Sequence, residues 1–190
     1  MKQLTHLVVF VVTTLSGIAF AAPETFVIDG NHTYPRFSYN HLGYSTQVSR
    51  FNKSSGKIVL DKEAKTGSVD VVIDMKSVDT GYSVLDGVIQ GEALLDTEKY
   101  PTATFKSTKV RFEGDRPVAL EGILAIKGVA RPVTLTVNSF LLMPHPMLKK
   151  DAIGANATTK IRRSEYNAGK YAPDIGDEVT IDIAVEAIKN

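Results

Sequence analysis

Asp29-x-x-His32-Thr33, then Phe37, then His41-x-Gly43-x-Ser45-x-x-Val48-x-x-Phe51 is the stretch on which the reading of this chain turns. It opens a long run of alternating segments. Val69, Val71, Ile73 and Met75 share one parity, while Ser68, Asp70, Asp74 and Lys76 take the other. Val133, Leu135 and Val137 alternate with Thr134, Thr136 and Asn138, and Val179 through Ala187 alternates in the same way. Leu120, Gly122, Leu124 and Ile126 oppose Glu121, Ala125 and Lys127, and Ile153 through Ile161 forms a less apolar series. A period of two over so much chain predicts antiparallel sheet with one face buried and one wet.

Two places break the phase. Ala103, Phe105 and Ser107 are odd-numbered, but Val110 and Phe112 continue on even numbers. A one-residue slip flips every side chain, so a β-bulge is expected near Ser107–Lys109, where it helps the sheet curl. Around Phe140–Leu142 both parities are apolar, which predicts a strand end covered on both sides. Turns at Ser54-Ser55-Gly56, Lys65-Thr66-Gly67, Glu113 to Pro117 and Lys127 to Ala130 give the spacing of a meander. Only residues 83–96 read as helix, as one or two short pieces. Ser83-x-x-Asp86 resembles a capping box, Val84/Val88 and Leu85/Ile89 are i,i+4 pairs, and Gly91 is a stop before a second piece at 92–96. Alternation alone leaves a barrel or a sandwich open; about eight strands would close an up-and-down barrel with room for side chains or one small ligand.

Residues 1–21 read as a cleaved export signal: Lys2 at the start, a mostly apolar Leu7–Leu15, and Ala19-Phe20-Ala21 as a small-x-small cleavage site. Residues 22–190 then form one domain, long enough to bury ~70% of its unfolded surface. The full chain carries 22 Lys and Arg against 21 Asp and Glu, and losing Lys2 makes it neutral, which gives no electrostatic case for nucleic acid. With 0 cysteines, packing and the ladder hold the fold in an oxidising compartment.

Catalytic groups are sparse. The sequence has no Gly-x-Ser-x-Gly elbow, no cysteine and no phosphate-binding glycine loop. Asp177-Glu178 and the Asp70/Asp74 pair read as solvated charge. Of 4 histidines, His6 falls in the leader. His32 and His41 read either as imidazoles wedged between strands with hydrogen-bond partners, or as head-group contacts at a barrel mouth. A barrel enzyme would have to pair His41 with Glu165 or Asp29, and nothing positions a nucleophile. Met143-x-His145-x-Met147 has soft ligands suited to copper, but Pro144 and Pro146 equally make it a rigid extended loop, and no metal site is assigned.

The opening stretch is followed, in order, by Ser77-Val78-Asp79-Thr80-Gly81, Tyr100-Pro101-Thr102-Ala103-Thr104-Phe105, Gly122-x-Leu124-x-Ile126-Lys127-Gly128-Val129-x-Arg131-Pro132-Val133 and Arg163-Ser164-Glu165-Tyr166. The series resembles the YceI-like family, lipocalin-like β-barrels of the bacterial periplasm that hold long-chain isoprenoid or fatty lipids. The resemblance implies an all-β, antiparallel lipocalin-like barrel and a periplasmic binding protein, not an enzyme. Its cargo would be an isoprenoid quinone, a polyprenyl lipid or a fatty amide, with no other cofactor. The alternative is an envelope stress or interaction protein without a ligand. Transient contact with a membrane or membrane protein is a further expectation.

Ligand contacts are expected from Phe37, His41, Phe105, Leu124, Ile126, Leu135, Val137, Phe140, Arg163 and Tyr166. Selectivity is placed at a mouth near His32, His41 and Arg163–Tyr166. Departures from the family pattern are Pro35, Arg50 where relatives usually carry glycine, and Glu165-Tyr166-Asn167 where they carry Asp-Phe-Gly. Many relatives also have a cysteine pair around the 143–147 loop, which this chain lacks.

Overall fold

The structure, a computed structural model, describes residues 22–190; the expected leader, residues 1–21, lies outside them. The strands are β1 (Glu24–Ile28), β2 (Tyr34–His41), β3 (Ser45–Phe51), β4 (Ser54–Asp61), β5 (Thr66–Asp74) and β6 (Val78–Asp79). After the helix α1 (Ser83–Gln90) come β7 (Thr102–Glu113), β8 (Arg116–Ile126), β9 (Val129–Pro144), β10 (Asp151–Arg162) and β11 (Ile175–Lys189).

The ring β1-β4-β5-β7-β8-β9-β10-β11 is a closed, antiparallel eight-stranded barrel, sealed where Phe26 of β1 faces Lys189 of β11. Strands β2, β3 and β6 continue β1, β4 and β5 beyond a crease, β2 pairing with the first part of β11. Local chemistry makes the crease. Asp29 accepts from the Asn31 N–H, the Asn52 N–H donates to the Ser77 carbonyl, and Asp74 caps the 3₁₀ turn Met75–Ser77 through the Lys76 N–H. The Ser54 hydroxyl donates to the Thr33 carbonyl and ties two of these bends together.

The alternating series face inward as the sequence predicts, and the predicted bulge is present as a register shift between Ser107 and Lys109. There the Ser107 hydroxyl accepts from the Val69 N–H at 2.7 Å, replacing a ladder bond. The end of β9 differs from expectation. A second shift pairs Val137 with Ala157 but Ser139 with Asn156, so Asn138 is the extra residue. Parity changes there: Phe140 and Leu142 pack inside, while Leu141 and Met143 are exposed. The strand end is thus covered on one side only, and the doubled apolar parity marks a bulge.

Helix α1 also departs in detail. Its N-cap is Tyr82 without a side-chain cap bond; Asp86 accepts instead from the N–H and hydroxyl of Thr80, at 2.8 and 2.7 Å. Gly91 stops the helix, its N–H shared between the Gly87 and Val88 carbonyls. Residues 92–96 form turns, not a second helix, and Leu94 and Leu95 pack with Phe51, Met75 and Ile89. A second buried group, Phe26, Leu60, Ile153 and Ala187 with Phe112 and Phe140 against it, fills the barrel towards its other end.

Candidate functional site

Between those two packed ends lies a cavity of about 890 Å³. Its wall is built by the inward parity of the strands: Val69 and Ile73 of β5, Leu120 and Leu124 of β8, Leu135 of β9 and Ile183 of β11. Many of these apolar side chains, including Val69, Leu120, Val133, Ile181 and Ile183, are only half-buried although they point into the barrel. They pack on one side against Phe105, Leu124, Leu135, Ala157 and Tyr166 and face the cavity on the other. The volume falls in the upper part of the range of small-molecule sites, roughly 300–1,000 Å³.

Each of the ten residues expected to contact ligand lines this cavity: Phe37, His41, Phe105, Leu124, Ile126, Leu135, Val137, Phe140, Arg163 and Tyr166. Phe37 stacks with Tyr39 at 6.2 Å between ring centroids and meets Phe51 at 5.4 Å, an aromatic wall running up β2. Gly122 belongs to the same wall. A Cβ there would lie 2.6 Å from the Phe105 ring and 2.6 Å from the Lys106 carbonyl oxygen, so only glycine lets Phe105 lie flat across β8.

Polar groups gather at one opening, between the β2–β3 turn, α1 and the segment between β10 and β11. His41, Gln47, Lys170 and Asp174 line it. The His41 ring has no hydrogen-bond partner among the described residues, unlike a wedged structural imidazole. His32 is not there. It lies beyond the far end of β2, its side chain 63% exposed, with Nδ1 2.8 Å from the Asp29 carboxylate. That contact raises the His32 pKa and holds Asp29 below the ordinary carboxylate value. The expected grouping of His32 with His41 at the mouth is therefore corrected: an eight-residue strand separates them. Neither Asp29 nor Glu165 is hydrogen-bonded to His41 among the described residues, so those two pairings are not assembled.

Arg163 reaches the cavity, but its guanidinium is engaged. Nε donates to the Gly176 carbonyl at 2.9 Å, Nη1 to Ala168 and Lys170 at 2.6 Å each, and Nη2 to Ile175 at 2.5 Å. The side chain thus laces residues 168–176 into the rim, a role no sequence pattern announces because its partners are all backbone oxygens. Asp177 supports the same corner by accepting from the N–H and hydroxyl of Ser164. Tyr166, 1% exposed, packs with Phe105, Leu124 and Leu135, and burial raises its phenol pKa. Its hydroxyl has no hydrogen-bond partner among the described residues. Tyr39, an aromatic of β2 not among the expected ligand contacts, lines the cavity beside His41; burial raises its pKa against the opposing charge of Arg163.

Two further sequence features resolve. Arg50 points outward, 5.1 Å from the Tyr34 ring centroid and 3.5 Å from the Asp79 carboxylate. The His145 Nδ1 accepts from the N–H groups of Met147 and Leu148 at 3.2 Å each, so the imidazole folds its own turn while Met143 and Met147 are exposed. Among the described residues no group of three or more His, Asp or Glu is placed to hold a metal ion.

Comparison with known proteins gives a consistent neighbourhood. A YceI-like domain model matches residues 26–187. Protein YceI of Escherichia coli O157:H7 is 33% identical over 175 residues, covering 92% of this chain and 91% of its own length. The crystal structure of Burkholderia cenocepacia BcnA superposes with a TM-score of 0.72 at 24% identity, covering 84% of this chain and 99% of that one. A polyisoprenoid binding domain from Saccharophagus degradans, implicated in plant cell wall breakdown, gives 0.67 at 18% identity, with 87% and 98% covered.

Proposed function

The chain belongs to the YceI-like family, and from that premise we propose that it is a periplasmic carrier that sequesters one long-chain amphiphilic lipid in its barrel. The cargo class is an isoprenoid quinone, a polyprenyl lipid or a long-chain fatty amide. The observation that carries the reading is the apolar cavity of about 890 Å³ inside a closed sheet. Each buried CH₂ contributes about 0.8 kcal/mol, so a long tail binds without specific polar contacts and tails of equal length are poorly distinguished. Discrimination then falls to the polar groups at the opening, with the His41 imidazole and the Tyr39 hydroxyl free to meet a head group. Arg163 serves this scheme indirectly, by holding the rim. The polyisoprenoid-binding function ascribed to the Saccharophagus degradans domain supports the cargo class. The protein works by binding, with no chemical step.

Native mass spectrometry of protein purified from its own cell envelope tests the proposal. The expected result is one tightly held lipid per chain, retained through purification and released by organic extraction. Protein that arrives empty, and that takes up neither undecaprenol nor ubiquinone from detergent, would instead be a stress or interaction protein with a vacant barrel.

A further inference from the structure

Seven non-glycine residues among those described have positive φ. Five are Lys, Asp or Asn, ordinary occupants of turns. The other two are Leu42, with φ 55°, and Tyr171, with φ 70°, bulky side chains in a backbone region they rarely occupy. Both line the opening of the cavity, and both remain about half exposed, Leu42 at 52% and Tyr171 at 51%. The Leu42 N–H donates to the Asp174 carbonyl at 2.9 Å and joins the two loops, and the Ile175 N–H closes the second loop on the Tyr171 carbonyl at 2.8 Å. Beside Leu42, Tyr44 is 89% exposed. Across the opening, α1 contributes Val88, which is exposed and lines the cavity, with exposed Val84 one turn earlier and Tyr82 at the N-cap.

From this collar we infer that the open end of the barrel docks on the surface of a zwitterionic lipid bilayer, so that cargo passes between membrane and cavity without crossing water. The inference rests on the carrier reading above and names its partner. Three features favour a bilayer. The exposed apolar surface is continuous with the cavity opening, where an apolar tail must enter. The tips are leucine, valine and tyrosine, side chains that insert or sit at the head-group level. Lys170, 5.6 Å above the Tyr171 ring, and Asp174 line the cavity from one exposed loop with one charge of each sign, matching a layer of paired phosphates and amines. A formal net charge of +1 for the whole chain provides no long-range attraction, so docking is an apolar, short-range event.

Co-flotation of the protein with vesicles of equimolar phosphatidylethanolamine and phosphatidylcholine tests this. Binding is expected, and it should survive high salt. Tyr44→Asp and Val84→Asp combined should weaken it about tenfold or more, because two apolar side chains that would enter the interface become charges. Neither residue lines the cavity, so uptake of undecaprenol from detergent micelles should be unchanged, while its transfer between vesicles slows in step with the lost binding. Leu141→Asp, exposed on the barrel wall away from the opening, should leave flotation intact. The inference is overturned if the wild type loads undecaprenol from detergent yet does not float. It is also overturned if Leu141→Asp is as damaging as the collar variant, or if the collar mediates only self-association in sedimentation velocity. Protein that floats but takes up no undecaprenol would retain the docking surface and remove the carrier reading.

Discussion

Gly122 and Phe105 make a lock in which the smaller partner is indispensable. Gly122→Ala pushes a methyl into a backbone carbonyl and an aromatic ring at once, so we expect about 1–3 kcal/mol of destabilisation by chemical denaturation. Asp177 offers a pH test. Burial alone would raise its pKa, but donation from Ser164 and the charges of Arg163 and Arg162 hold it below the ordinary carboxylate value. A carboxylate lowered on folding contributes stability that is present above its unfolded pKa and lost as pH falls through the folded one. Asp177→Asn should therefore be less stable than wild type by about 1 kcal/mol at neutral pH, with the gap closing in acid. His41→Ala is expected to weaken a lipid that bears a polar head by about 5- to 150-fold while sparing the matching hydrocarbon; equal losses would make His41 scaffold. The inward-facing residues were legible in the sequence from parity, which two-fold alternation fixes. The carbonyl partners of Arg163 were not, since backbone oxygens are the same in every sequence.

Among the elements, the bulges at Thr108 in β7 and Asn138 in β9 decide which side of the wall the residues after them serve. Deleting Thr108 would remove the bulge while keeping Val110 and Phe112 in phase with Phe105, so β7 would lose its local bend and a lower midpoint is expected in a denaturant titration. The bulge in β7 was readable because polar residues occupy the parity it vacates. The one in β9 was hidden by Leu141 and Met143, apolar residues on the outer face that mimic a doubly covered strand. Helix α1 was readable from its i,i+4 pairs, but its start was not. Asp86 reaches back to Thr80, six residues away, a span outside the three-residue frame of a capping box.

At the scale of the whole molecule, cargo and stability are linked. A ligand that binds only the closed barrel raises the melting temperature by mass action. Leu135→Trp should remove that increment along with lipid capacity. Its ring can occupy cavity rather than displace packed neighbours, and it should leave the empty protein folded, as circular dichroism would report. Closure itself left no trace in the sequence. Alternation specifies strands but not the pairing of Phe26 with Lys189, and the family resemblance alone distinguished barrel from sandwich. That seam has a consequence in time. β1 is among the first strands a ribosome makes, and β11, its neighbour across the seam, follows every other strand of the ring. Until β11 emerges, the vessel has no wall on that side and nothing can be held in it. Filling therefore belongs to the finished molecule.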